Sequence, residues 1–156
     1  MYRVVIIAAM LAIACSEYEL PPVPLALHTE GARDADAILF QFAAKEWNDS
    51  AGMALVHDAE PGEECGAYVV AGDRLVGKNR TGLCQWVSPC RVEVMIRPGL
   101  STGDAYTSAR HELGHALMTC SDADHSDEDA SAMNAQQQLH EEITRADIAA
   151  AMGRMQ

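Results

Sequence analysis

The chain has 156 residues, with 23 Asp and Glu against 11 Lys and Arg and a formal net charge of −12. That length suits one domain, which buries roughly two-thirds of its unfolded surface. The acidic balance argues against a nucleic-acid partner, whose phosphates need a basic face, and with aromatics at 5% the core must rest on Val, Leu, Ile, Met and Ala.

Residues 1–14 read as a signal peptide. MYR supplies a positive charge, and VVIIAAMLAIA is an uncharged, mostly apolar run too short to span a bilayer but suited to a secretory core segment. Ala12-Ile13-Ala14 before Cys15 resembles a bacterial lipobox, which would make Cys15 the lipid-attachment residue; the same small residues also suit ordinary signal cleavage. Leu11 sits one place earlier than the lipobox leucine usually does. Five cysteines leave one unpaired in an exported chain. Assigning Cys15 to a lipid leaves Cys65, Cys84, Cys90 and Cys120 as disulfide candidates in an oxidising compartment, and four cysteines allow three pairings. The expected location is lipid-anchored at a bacterial cell-envelope membrane, with secretion as the alternative. Residues 15–31, with Pro21, Pro22 and Pro24, are expected to form a tether.

The domain is expected over residues 32–156. DADAILFQFAAKEWN predicts an amphipathic helix from Asp34 to about Asn48, capped by Asp34 or Asp36, with Ile38, Leu39, Phe42 and Trp47 close together. MALVH (53–57), AYVVA (67–71) and RVEVMI (91–96) predict strands. The stretch 71–90 carries three glycines and a proline and reads as loop. Pro98-Gly99 stops the last strand. A second helix is expected from about Asp104 to Met118, capped by Ser101, Thr102 or Asp104. A final helix follows Thr144, with Asp147 three residues on. This order of elements predicts an α+β layered fold.

HELGH, residues 111–115, carries the chemistry. On a helix, His111 and His115 lie one turn apart on one face, so both imidazoles can grip one cation. Glu112 sits beside that cation without having to ligate it, placed to take a proton from an activated water. Gly114 inside a helix costs about 1 kcal/mol relative to Ala, which close packing of another backbone would explain. Zinc enzymes bring three protein ligands. The candidates for the third are His125, with Asp122 and Asp124 as rivals and Glu141 or Glu142 from the downstream segment as a further option.

HELGHAL…HSDEDASAM resembles the zinc site of the metzincin metallopeptidases, most closely the matrixin branch. Their pattern is HExxHxxGxxH, continued by Ser and, downstream, by a small residue and Met. His125-Ser126 and Ser131-Ala132-Met133 keep the second block, with eight residues from histidine to methionine. Met118 stands where the family has glycine, and His125 falls ten residues after His115 rather than six. A four-residue insertion within MTCSDAD accounts for this, and Cys120 could pin the longer turn by a disulfide.

The resemblance implies that His111, His115 and His125 hold Zn2+, that Glu112 is the catalytic base, and that Met133 packs structurally in the turn beneath the metal. KEWNDSAG and ITRADIAA resemble the first and closing helices of matrixins, which extends the likeness over about 32–156. It implies a metzincin-like α+β fold with a twisted mixed sheet, an active-site helix and a C-terminal helix. A peptide substrate would lie along an edge of that sheet. Cys65-Gly66 resembles the inhibitory cysteine of matrixin propeptides, but its place inside the domain favours a disulfide. The expected function is that of a monomeric zinc-dependent endopeptidase acting on a protein or peptide and anchored to the membrane by its lipid. The alternative is a lipid-anchored zinc-binding protein on an inactive metzincin scaffold. The acidic residues Asp124, Asp127, Glu128 and Asp129 read as a solvated face, with calcium binding or repulsion of acidic substrates as the alternatives.

Overall fold

A computed structural model describes residues 21–74, 80–128, 130–134 and 142–155. The expected signal peptide at 1–14, Cys15, Asp129 and residues 135–141, Glu141 among them, lie outside the described residues. Among those described, the fold is mixed α+β, with five strands in one mostly parallel sheet and three α-helices.

The first strand, β1 (Leu25–His28), is fully buried and lies inside the sheet. These residues were expected within the tether, because four residues behind a proline-rich stretch give too short a run to show alternation. The folded unit therefore reaches back past residue 32. Helix α1 (Asp34–Ala51) carries the chain over the sheet to β2 (Val56–Asp58), which pairs parallel to β1, as a strand–helix–strand crossover requires. Strand β3 (Gly66–Val69) pairs parallel on the other side of β1. Strands β4 (Gly82–Ser88) and β5 (Arg91–Ile96) form an antiparallel pair, and β5 joins β3 in parallel. The order is β2-β1-β3-β5-β4, which leaves β4 at one edge.

Three further expectations change. Helix α1 buries Phe40, Ala43, Ala44 and Trp47, whereas Ile38 and Phe42 are 51% and 60% exposed. The buried set follows i, i+3, i+4, i+7 spacing, and its two alanines let the helix come close to its neighbours; bulk alone pointed to the wrong face. No side chain caps its start; Asp34 and Asp36 lie within the first turn. The stretch 71–90, expected as loop, contains the seven-residue β4, the longest strand described. Its flanking glycines and proline masked an alternation in which Gly82 and Cys84 face inward.

Helix α2 (Thr102–Leu117) is capped by Ser101, whose hydroxyl accepts from the Asp104 amide at 3.2 Å. It packs against α1, β4 and β5, and every residue from Thr107 to Leu117 is buried. The short helix α3 (Arg145–Met152) starts at the Thr144–Asp147 capping box read from the sequence. Near the C-terminus, Arg154 donates to the Ala116 and Leu117 carbonyls at 3.0 and 2.9 Å and to the Pro21 carbonyl. One side chain thus satisfies the open end of α2 and ties down the start of the described chain. The cysteines pair as Cys65–Cys90 and Cys84–Cys120.

Candidate metal centre

Helix α2 brings His111 and His115 onto one face, 2% and 6% exposed. The chain leaves the helix at Met118, and Cys120 takes a left-handed conformation with φ 53°. A single turn of 3-10 helix over Asp122–Asp124 then returns the chain to His125. The half-buried His125 closes a triangle: its Nε2 lies 3.2 Å from Nε2 of His111 and of His115, and those two are 3.1 Å apart.

The outer partners of the rings fix what this triangle offers. His111 Nδ1 is 2.8 Å from the Ala132 carbonyl, and His115 Nδ1 is 3.2 Å from Asp124 Oδ2. Carbonyl and carboxylate oxygens only accept, so both Nδ1 atoms carry the proton and both Nε2 atoms present lone pairs. The His125 ring is hydrogen-bonded to the Asp122 backbone. Burial, reinforced by the neighbouring His115, holds His111 neutral down to about 4. Burial and His115 also lower the pKa of His125. Three ring nitrogens 3.1–3.2 Å apart and aimed at one point repel unless a cation lies among them. Corners of a tetrahedron around zinc, with Zn–N of about 2.0–2.1 Å, are about 3.3 Å apart, so the donor set fits a metal ion of that class. These three histidines could hold a metal, and Asp122 and Asp124 are not in the converging set. Asp124 stands behind His115 instead.

Glu112, next to His111 on the helix, lies against β4 and is 4% exposed. The Cys84 backbone is hydrogen-bonded to its carboxylate. Gly82 lies so close that a Cβ there would meet Glu112 Cγ at 2.5 Å and Oε1 at 2.6 Å. Burial raises the Glu112 pKa to about 7, opposed by His115, Arg80 and the Cys84 hydrogen bond. Gly114 has a comparable reason to be glycine. A Cβ there would lie 2.7 Å from Trp47 Cζ2 and closer still to Met133 Sδ. The close approach is thus by two side chains rather than by another backbone.

Met133 is fully buried beneath the helix, in a turn tied at several points. Ser126 N donates to the Met133 carbonyl at 2.9 Å, and Met133 N donates to Ser131 Oγ at 2.9 Å. Ser131 in turn donates to the buried Asp147 at 2.7 Å. The Glu142 backbone pairs with that of Ala130 and Ala132.

The sequence reading singled out the three histidines, Glu112, Met133 and the four cysteines, and the structure brings all of them around one centre except Cys65 and Cys90. It missed the outer partners: the Ala132 carbonyl, the carboxylate of Asp124 as a hydrogen-bond acceptor, and the β4 backbone against Glu112. For Asp124 a signal existed, since Ser121-x-x-Asp124 is a capping-box pattern. No protein-family model matches the chain, and no curated protein matches it significantly.

Proposed function

We propose that this protein is a zinc-dependent endopeptidase, exported and anchored to a bacterial envelope membrane through Cys15. The observation that carries the reading is the convergence of three imidazole lone pairs beside a buried, proton-accepting glutamate. Imidazole nitrogens in a tetrahedral disposition favour zinc among the common metals. The HELGH…HS…Met pattern supports the metzincin reading of the site, and the mostly parallel sheet with an antiparallel edge strand agrees with it. Two disulfides support export.

His111, His115 and His125 would hold the ion. When bound, zinc polarises a carbonyl oxygen and lowers the pKa of a water towards ~7. Glu112 accepts the proton of the water that attacks the scissile carbonyl carbon, then delivers it to the amine nitrogen as the C–N bond breaks. Strand β4 is an edge strand, so an extended peptide can pair along it. Because Gly82 and Cys84 of that strand touch Glu112, such a peptide would run past the base.

Glu112→Ala is expected to keep zinc and lose about 10²–10⁴-fold in peptide cleavage. Retained proteolysis would remove Glu112 from the mechanism. Zinc binding by the parent without cleavage of any peptide in a diverse library would instead support the inactive-scaffold reading.

A further inference from the structure

The turn between α2 and His125 is longer than the resemblance leads one to expect, and the extra residues have an occupation of their own. Asp124 Oδ2 accepts from His115 Nδ1 at 3.2 Å, from Thr119 N at 3.1 Å and from Ser121 N at 3.0 Å, while Oδ1 accepts from the Thr119 hydroxyl. Its side chain is 5% exposed. Both oxygens are therefore engaged by the turn and by the back of a ring, away from the point where the Nε2 atoms meet. Asp124 is built to hold a ligand, and not to be one.

The turn itself is held from two sides. Cys120 N donates to the His115 carbonyl at 2.8 Å, and Cys120 Sγ is bonded to Cys84 of β4. Cys84 is the same residue whose backbone is hydrogen-bonded to Glu112. One position on the edge strand thus fixes both the base and the turn that orients a metal ligand. The other disulfide, Cys65–Cys90, joins the start of β3 to the β4–β5 turn.

Resting on the metal-centre reading above, we propose that Asp124 is a positioning residue for the metal site. Its carboxylate keeps His115 in the tautomer with Nε2 free to ligate, and the Cys84–Cys120 disulfide keeps that carboxylate in place. Metal retention then depends on Asp124 and on this disulfide, and not on Cys65–Cys90. The arrangement differs between the two helical ligands: His111 is oriented by a neutral backbone carbonyl, His115 by a charged side chain from the inserted turn.

The test uses the full-length protein in mild detergent, loaded with zinc, with zinc transfer to a competing chelator measured at one pH. Loss of an outer-shell partner to a metal ligand costs 10–100-fold in affinity, so Asp124→Ala should weaken retention by about that factor and Asp124→Asn by less. Imidazole N–H resonances in a ¹⁵N-resolved proton spectrum separate orientation from general loosening: in Asp124→Ala the His115 Nδ1–H signal should shift while that of His111 stays. The Cys84→Ala/Cys120→Ala protein should lose retention about tenfold or more, and the Cys65→Ala/Cys90→Ala protein should match the parent. A folded Asp124→Ala protein that holds zinc as tightly as the parent, or one in which both histidine signals move alike, would overturn the positioning role. Equal losses in the two disulfide variants would overturn the part given to Cys84–Cys120. A parent that binds no zinc would overturn this inference together with the metal-centre reading, whereas a tight parent with an unaffected variant overturns the inference alone.

Discussion

The helix and the turn supply the same centre by opposite means. Helix α2 delivers His111, Glu112 and His115 through its own periodicity, inside a run of buried residues. The segment from Met118 to Asn134 delivers His125, Asp124, Ala132 and Met133 with, among its described residues, no regular element longer than one 3-10 turn. It is held by a disulfide, by Ser126 and Ser131, and by the buried Asp147. A ligand on a helix needs only the right spacing. A ligand on a turn needs every anchor that fixes the turn, so the third corner of the site rests on residues scattered from β4 to α3.

The largest effect on stability should come from the helix, because burial there works against the charge of Glu112. In metal-free protein the folded-state pKa of Glu112 is raised from 4.5 to about 7. The protonated form is thus favoured by folding, and the associated stability is present below about 4.5 and lost as the pH rises through about 7. Glu112→Gln removes a group that must ionise in a dry place. Denaturant melts of zinc-free protein should show the variant more stable than the parent by on the order of 2–3 kcal/mol at pH 8 and nearly equal at pH 4.5. An equal difference at both pH values would mean that Glu112 is hydrated.

A somewhat smaller effect should come from the surface where the two regions meet. At Gly114→Ala the new methyl group collides with Trp47 and Met133, and overpacking of this kind costs about 1–3 kcal/mol, partly offset by about 1 kcal/mol of helix propensity. Adding Met133→Ala should recover part of the loss despite the cavity it leaves, which a double-mutant cycle by thermal unfolding would detect. Additive losses would separate Gly114 from the turn.

An effect of similar size should be confined to the turn. Ser131→Ala removes the hydroxyl that accepts from Met133 N and donates to Asp147, at a cost of about 1–3 kcal/mol for the buried groups left unpaired. Hydrogen exchange should speed up around Ala132 and Met133 before it does in α2. Uniform acceleration across both regions would contradict the view that the turn is held separately.

The same contrast decides how much could be read from the chain alone. HELGH was legible because helical spacing turns two letters four apart into two side chains on one face. The α3 capping box, Thr144 with Asp147, was legible for the same local reason. His125 and Met133 were readable only through a resemblance, since nothing local says where a turn points its histidine. Asp124 appeared among the rival ligands, yet its place behind His115 depends on Thr119, Ser121 and a disulfide to a strand more than thirty residues upstream. Strands β1 and β4 escaped for a related reason. LALH is too short to show a period, and the glycine and proline around β4 look like loop until β5 pairs with it.

Zinc content in the parent and in His125→Ala, under identical dialysis at neutral pH, tests most directly whether His125 completes the set. One zinc per full-length molecule in the parent, with retention in the variant weakened beyond the ~100-fold that an outer-shell loss can cause, is the result predicted. Equal retention in both would contradict it and place the third ligand elsewhere.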